Sequence, residues 1–133
     1  MSVWDGKSDF EINKAVATSW LPCDYDFDEK NKAVDLVGYA TYLGGHGIAD
    51  ERLEKYGEFN PCENASDAWP IILSNNINLL KYEDVDDDEW EAQAGVKLNA
   101  FGYDDSSCEF YYYDKNPLRA AMIVFLMINE GKK

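Results

Sequence analysis

The sequence predicts an α+β fold: a single compact domain in which an antiparallel sheet of about three to four strands packs against N-terminal, central and C-terminal helices. Three observations carry this. Ser8 and Glu11 form a capping box ahead of an amphipathic stretch. EWEAQAG, VKLNAFGY and CEFYYYD read as strands, the last two joined across the turn formers DDSS. Asn116 and Pro117 supply a cap and a first-turn proline to LRAAMIVFLMINE.

In order along the chain, the capping box places a first helix from Ser8 to about Ser19. Ile12, Ala15, Val16 and Ser19 form its apolar face, and Phe10 and Trp20 pack at its ends. From Leu21 to Phe59 the periodicity weakens, and a loop-rich insertion with one strand or short helix is expected. Within it, IADERLEKYGEF reads as a short charged helix ending at Gly57. Asn64 or Ser66 then caps a helix from about Ala65 to Ser74, with Trp69, Ile72 and Leu73 on one side and Asn75 and Asn76 as its stop. INLLKY follows as a strand, and the acidic residues from Glu83 to Glu91 form an exposed turn. The last helix is apolar almost all round, so it is buried on more than one side or uses its second face in a dimer; Gly131 stops it, and Lys132 and Lys133 face its negative end.

Composition narrows the function classes. With 46% hydrophobic and 14% aromatic residues the chain folds despite its charge of -14. That charge opposes phosphate backbones and anionic bilayers, so neither direct nucleic-acid binding nor membrane association is expected. It favours solubility and would steer the protein toward a basic partner. Cys23, Cys62 and Cys108 are widely spaced, which suggests neither a zinc site nor a disulfide framework and fits a reducing cytoplasm. MSVWDGKSDFE has no positive n-region and no apolar h-region, so no secretory leader is expected.

Residues that suggest chemistry do not assemble into a motif. Asp24, Asp26 and Asp28 alternate as in a calcium loop, but Glu29 stands where such a loop needs glycine and Asp35 where it needs glutamate. His46 lies in GGHG beside no evident nucleophile, and no nucleotide, metalloprotease or hydrolase signature occurs. No catalytic residue, metal site or cofactor is therefore nominated.

Two separated blocks, DAWPII (Asp67, Ala68, Trp69, Pro70, Ile71, Ile72) and NPLRAAMIVFLM, with SDFEINKAVA before them and WEA between, resemble the NinX-like proteins of tailed bacteriophages and prophages. That group is of uncharacterised function and is similar to phage domains described as an alpha-beta-alpha sandwich. The resemblance implies a phage origin, a host-cytoplasmic setting and an α+β fold. It brings no catalytic residues; Asp67, Ala68, Trp69, Pro70, Ile71, Ile72, Pro117, Leu118, Arg119, Ala120 and Ala121 look like capping and packing positions.

The resulting expectation is a non-enzymatic acidic protein that binds a host or phage protein with a basic surface. Asp24, Asp26 and Asp28, together with Glu83, Asp84, Asp86, Asp87 and Asp88, would imitate phosphates, and Trp90 or Tyr25 and Phe27 would anchor the contact. The plainer reading makes both acidic runs solvated turns and the aromatics core. Two further classes stay open: a small metal-dependent enzyme of phage DNA metabolism, and a homodimeric module joined through the last helix.

Overall fold

A computed structural model describes residues 3–43, 49–82, 89–95 and 108–131. The first helix, α1, spans Asp9–Trp20, and Ser8 Oγ accepts from the Glu11 amide at 3.2 Å, as the capping box requires. Its buried face is Phe10, Ile12, Asn13, Val16 and Ala17. Ser19, expected on that face, is exposed, and Asn13 takes a place inside. Burying an amide costs little here, because Asn13 Nδ2 donates to Asn60 Oδ1 at 2.8 Å and its Oδ1 accepts from the Cys62 amide at 3.2 Å.

The segment expected to be loop-rich instead forms three strands: β1 (Tyr25–Asp28), β2 (Ala33–Leu43) and β3 (Ala49–Glu58), paired antiparallel in that order. The charged stretch read as a helix is β3. Its residues 51–56 are all exposed, so neither helical nor strand periodicity had a buried face to follow. The conformation comes from its partner: β2 is rich in β-branched and aromatic residues, and it pairs along the length of β3, with Tyr39 opposite Leu53.

The second helix, α2, spans Ala65–Ser74 as expected, with Asn64 Oδ1 accepting from the Ser66 amide. It ends in a Schellman motif: Asn76 adopts φ 53, its amide bonds Leu73 O, and the Ile77 amide bonds Ile72 O at 3.1 Å. The predicted face needs correction. Ala68, Ile71 and Ile72 are buried, whereas Trp69 and Leu73, one turn apart, are 54% and 58% exposed. Pro70 lies on the exposed side, so the Ser66 carbonyl that it leaves without an amide partner is open to water.

Strands β4 (Asn78–Lys81), β5 (Trp90–Ala94) and β6 (Phe110–Asp114) form a second antiparallel sheet in that order. The expected strand VKLNAFGY and its DDSS turn lie outside the described residues, as do His46, the acidic positions 83–88 and the two terminal lysines. The strands thus divide into two sheets of three, not one sheet of about three to four.

The last helix, α3 (Pro117–Gly131), organises the core. Asn116 Oδ1 accepts from the Leu118 amide, and seven consecutive residues, Ala120 to Leu126, are buried. They can be, because α3 meets all three strands of the second sheet as well as α1 and α2. Trp20 of α1 meets Phe125 edge to face at 6.0 Å. Both sides of α3 are therefore covered within one chain. The helices form the middle layer: α1 touches β2 of the first sheet while α3 lies on the second. The sandwich that the resemblance implies has its sheet between helices instead.

Candidate interaction surface

Alternation along the second sheet separates two faces. Phe110 and Tyr112 of β6 and Ala92 and Ala94 of β5 pack toward the core, which turns Tyr111, Tyr113, Glu91 and Gln93 to the other side. Register extends that outer face across β4, where Leu80 stands opposite Glu91 and Asn78 opposite Gln93. Tyr82, two residues beyond Leu80, completes it.

This face combines exposed rings with a buried carboxylate. Tyr111 is 54% exposed, Tyr113 46%, Leu80 44% and Tyr82 39%, yet Glu91 among them is only 4% exposed. A carboxylate so placed needs donors, and it has them. The Tyr82 hydroxyl donates to Glu91 Oε1 at 2.5 Å, Gln93 Nε2 donates to the same oxygen at 2.8 Å, and Tyr113 stands opposite Glu91 on β6. Burial and the neighbouring carboxylate push the Tyr113 phenol up to about 12. The hydrogen bond to Glu91 raises Tyr82 as well. Both therefore remain protonated donors at neutral pH. The Tyr82 and Tyr113 ring centres lie 6.1 Å apart, and those of Tyr111 and Tyr113 lie 5.9 Å apart at 75°.

The residues singled out from the sequence fall elsewhere. Asp24 and Asp26 are exposed, the latter at the first-sheet edge strand β1, where its carboxylate accepts from the Phe27 amide at 3.0 Å. Asp28 holds the β1–β2 turn: its two oxygens accept from the amide and the side chain of Asn31 at 3.1 and 2.8 Å, which lowers its pKa. Asp35, the twelfth position of the supposed loop, pairs with Lys55 at 3.2 Å. Tyr25 packs on the core, and Phe27 is the more open of the pair. Trp90 is half-buried and alternates with Ala92 and Ala94, on the helix side of β5, with Lys81 Nζ 6.0 Å from its ring. Trp90 thus faces away from Tyr111 and Tyr113. Glu83, Asp84, Asp86, Asp87 and Asp88 lie outside the described residues, on the connection between β4 and β5.

Reading the sequence for acidic runs passed over Tyr82, Tyr111 and Tyr113, and put Glu91 at the end of an exposed turn, whereas it is buried in β5. A usable signal was present: three consecutive tyrosines in one strand must place at least one, and here two, on the face away from the helix.

The polar residues of the two blocks that carry the resemblance have internal work. Arg119 Nε reaches Asp9 Oδ1 at 3.1 Å, Nη1 reaches Asp114 Oδ2 at 2.5 Å, and Nη2 donates to the Lys7 carbonyl. That fork ties α3 to the start of α1 and the end of β6. Asn116 Nδ2 donates to the Cys62 carbonyl at 2.7 Å, and Asp67 Oδ2 accepts from the Asn60 amide at 2.9 Å. Burial pushes the Cys62 thiol up, so it packs as a small apolar group and is not poised for nucleophilic attack. These contacts agree with the capping and packing roles expected of Asp67 and Arg119, whereas Trp69 and Pro70 lie on the exposed side of α2.

Among the described residues, no helix is long and apolar enough to cross a membrane. No curated protein and no solved structure matches the chain. A family model described as Bacteriophage P22, NinX, matches residues 7–129. With the match extending over nearly the whole sequence, the chain belongs to the bacteriophage P22 NinX family.

Proposed function

We propose that this phage protein is a non-enzymatic binder of a host or phage protein, acting in the bacterial cytoplasm and docking through the outer face of β4–β5–β6. The observation that carries this reading is the group of exposed tyrosines, Tyr82, Tyr111 and Tyr113, around the buried Glu91. Rigid tyrosines with open faces are the usual anchors of protein interfaces, since they bury much area at small entropic cost. The acidic run follows Tyr82 directly in sequence, and in this reading Glu83, Asp84, Asp86, Asp87 and Asp88 stand in for phosphates toward a basic partner. Asp24 and Asp26 belong to the other sheet, and Asp28 is engaged in a turn, which makes the first acidic stretch the weaker contact.

The reading is tested by capture of partners from host lysate at low and moderate salt. A partner held by the native chain should be lost when Asp86, Asp87 and Asp88 become asparagine, and its retention should fall as salt rises. Capture unaffected by both changes would exclude phosphate imitation.

A further inference from the structure

The outer face of the second sheet has a chemistry more specific than apolarity. Its seven positions, Asn78, Leu80, Tyr82, Glu91, Gln93, Tyr111 and Tyr113, include one carboxylate and no cation. Tyr82 spends its hydroxyl on that carboxylate, and Tyr113 stands opposite it across the β5–β6 pair. A phenol that donates to a carboxylate draws electron density toward its ring, and hydrogen-bonded networks polarise in this sense. The Tyr82 ring is therefore electron-rich with its polar end held, and the exposed rings of Tyr113 and Tyr111 follow beside it. Tyrosine faces next to a carboxylate are a favourable environment for a cation, and a planar guanidinium adds stacking and directional donors to the Coulomb term.

Resting on the binding reading above, we infer that Tyr82, Tyr111, Tyr113 and Glu91 form a receptor for a single arginine side chain of the partner protein. Charge complementarity selects this occupant. The chain carries -14 overall and none of the seven positions is a cation, so a cation entering among them displaces no internal ion pair. Lys81, the nearest lysine in sequence, lies on the opposite face of the sheet, beside Trp90. Glu91 anchors the Tyr82 ring and supplies the negative field, while the exposed faces of Tyr111 and Tyr113 supply the contact.

The test uses the full chain and two capped peptides, acetyl-Gly-Arg-Gly-amide and the same peptide with neutral, isosteric citrulline, followed by NMR of the tyrosine rings. The arginine peptide should shift the Tyr82, Tyr111 and Tyr113 resonances in a saturable manner, with the citrulline peptide binding about tenfold more weakly. Tyr111→Ala, at an exposed position, should weaken the arginine peptide several-fold without unfolding the protein, and Glu91→Gln should do the same. Equal affinity for the two peptides, no saturable shift, or shifts at Trp69 as large as those at Tyr113 would overturn the inference. Partner capture that requires Tyr111 and Tyr113 but is indifferent to arginine peptide would leave the binding reading standing and remove this one. A saturable arginine site on a protein that captures nothing would do the reverse.

Discussion

Across the β4–β5 pair, the hydroxyl of Tyr82 donates to the buried carboxylate of Glu91 at 2.5 Å, while Tyr113 stands opposite the same residue on β6. The hydrogen bond to Glu91 raises the Tyr82 phenol above its ordinary value of 10, and burial beside the same carboxylate raises Tyr113 to about 12. A phenol with a raised folded-state pKa contributes stability that is complete below the unfolded value and is lost as pH rises through the folded one. The thermal midpoint should accordingly fall between pH 10 and about 12, and ultraviolet titration should show late-ionising tyrosines. In Glu91→Gln part of that delay should vanish. Ionisation of every tyrosine near pH 10 in the native chain would contradict the network.

Arg119 is the tie between three elements. Its side chain is 16% exposed and serves Asp9, Asp114 and the Lys7 carbonyl together. Arg119→Met keeps the stem and deletes the fork, leaving Asp9 and Asp114 without their cation while Asp114 Oδ1 still accepts from the Asn116 amide. Denaturant unfolding should register a loss on the order of 2 kcal/mol, below the figure for a fully buried pair because water reaches this one. Arg119→Lys should recover only part, since one ammonium cannot make the divergent contacts of a guanidinium.

The corrected face of α2 gives a paired expectation. Ile71→Ala, at a fully buried position, should cost roughly 2–5 kcal/mol, whereas Leu73→Ala, more than half exposed, should stay within about 0.5 kcal/mol. Similar losses at the two sites would show that the helix is rotated from the orientation described.

Gly95 closes β5 with φ +74, and a Cβ there would stand 2.7 Å from Glu109 Cβ. Gly6 has φ +76 with nothing within 4 Å. Gly6→Ala should therefore pay the left-handed backbone penalty alone, about 1–2 kcal/mol, and Gly95→Ala should pay more than that. Chemical unfolding of the two variants side by side decides the order.

The three helices are legible in the sequence because their ends are written in side chains: Ser8, Asn64 and Asn116 accept from first-turn amides, and Asn76 takes the left-handed conformation that stops α2. The first sheet is not legible. Residues 51–56 have no buried face, so the pattern that identifies strands is absent and only pairing with β2 selects the conformation. The facing of α2 is lost for a related reason: Trp69 and Leu73 are as apolar as Ile71 and Ile72, and periodicity alone does not say which pair a neighbour covers. At the candidate surface, Asp28 and Trp90 drew notice by type, yet one caps a turn and the other faces the helix side of its strand. Glu91 looked like one acid among many. Only the register that brings Tyr82 and Tyr113 to it distinguishes it.

The central claim is that the tyrosine face of the second sheet binds a protein. The most direct test compares partner capture from host lysate by the native chain and by the double variant Tyr111→Ser, Tyr113→Ser, with Trp69→Ser, an equally exposed aromatic on α2, as control. The account predicts a partner retained by the native and Trp69→Ser proteins and lost by the double variant, at unchanged thermal midpoints. Retention of that partner by the folded double variant, or its loss on Trp69→Ser alone, would contradict it.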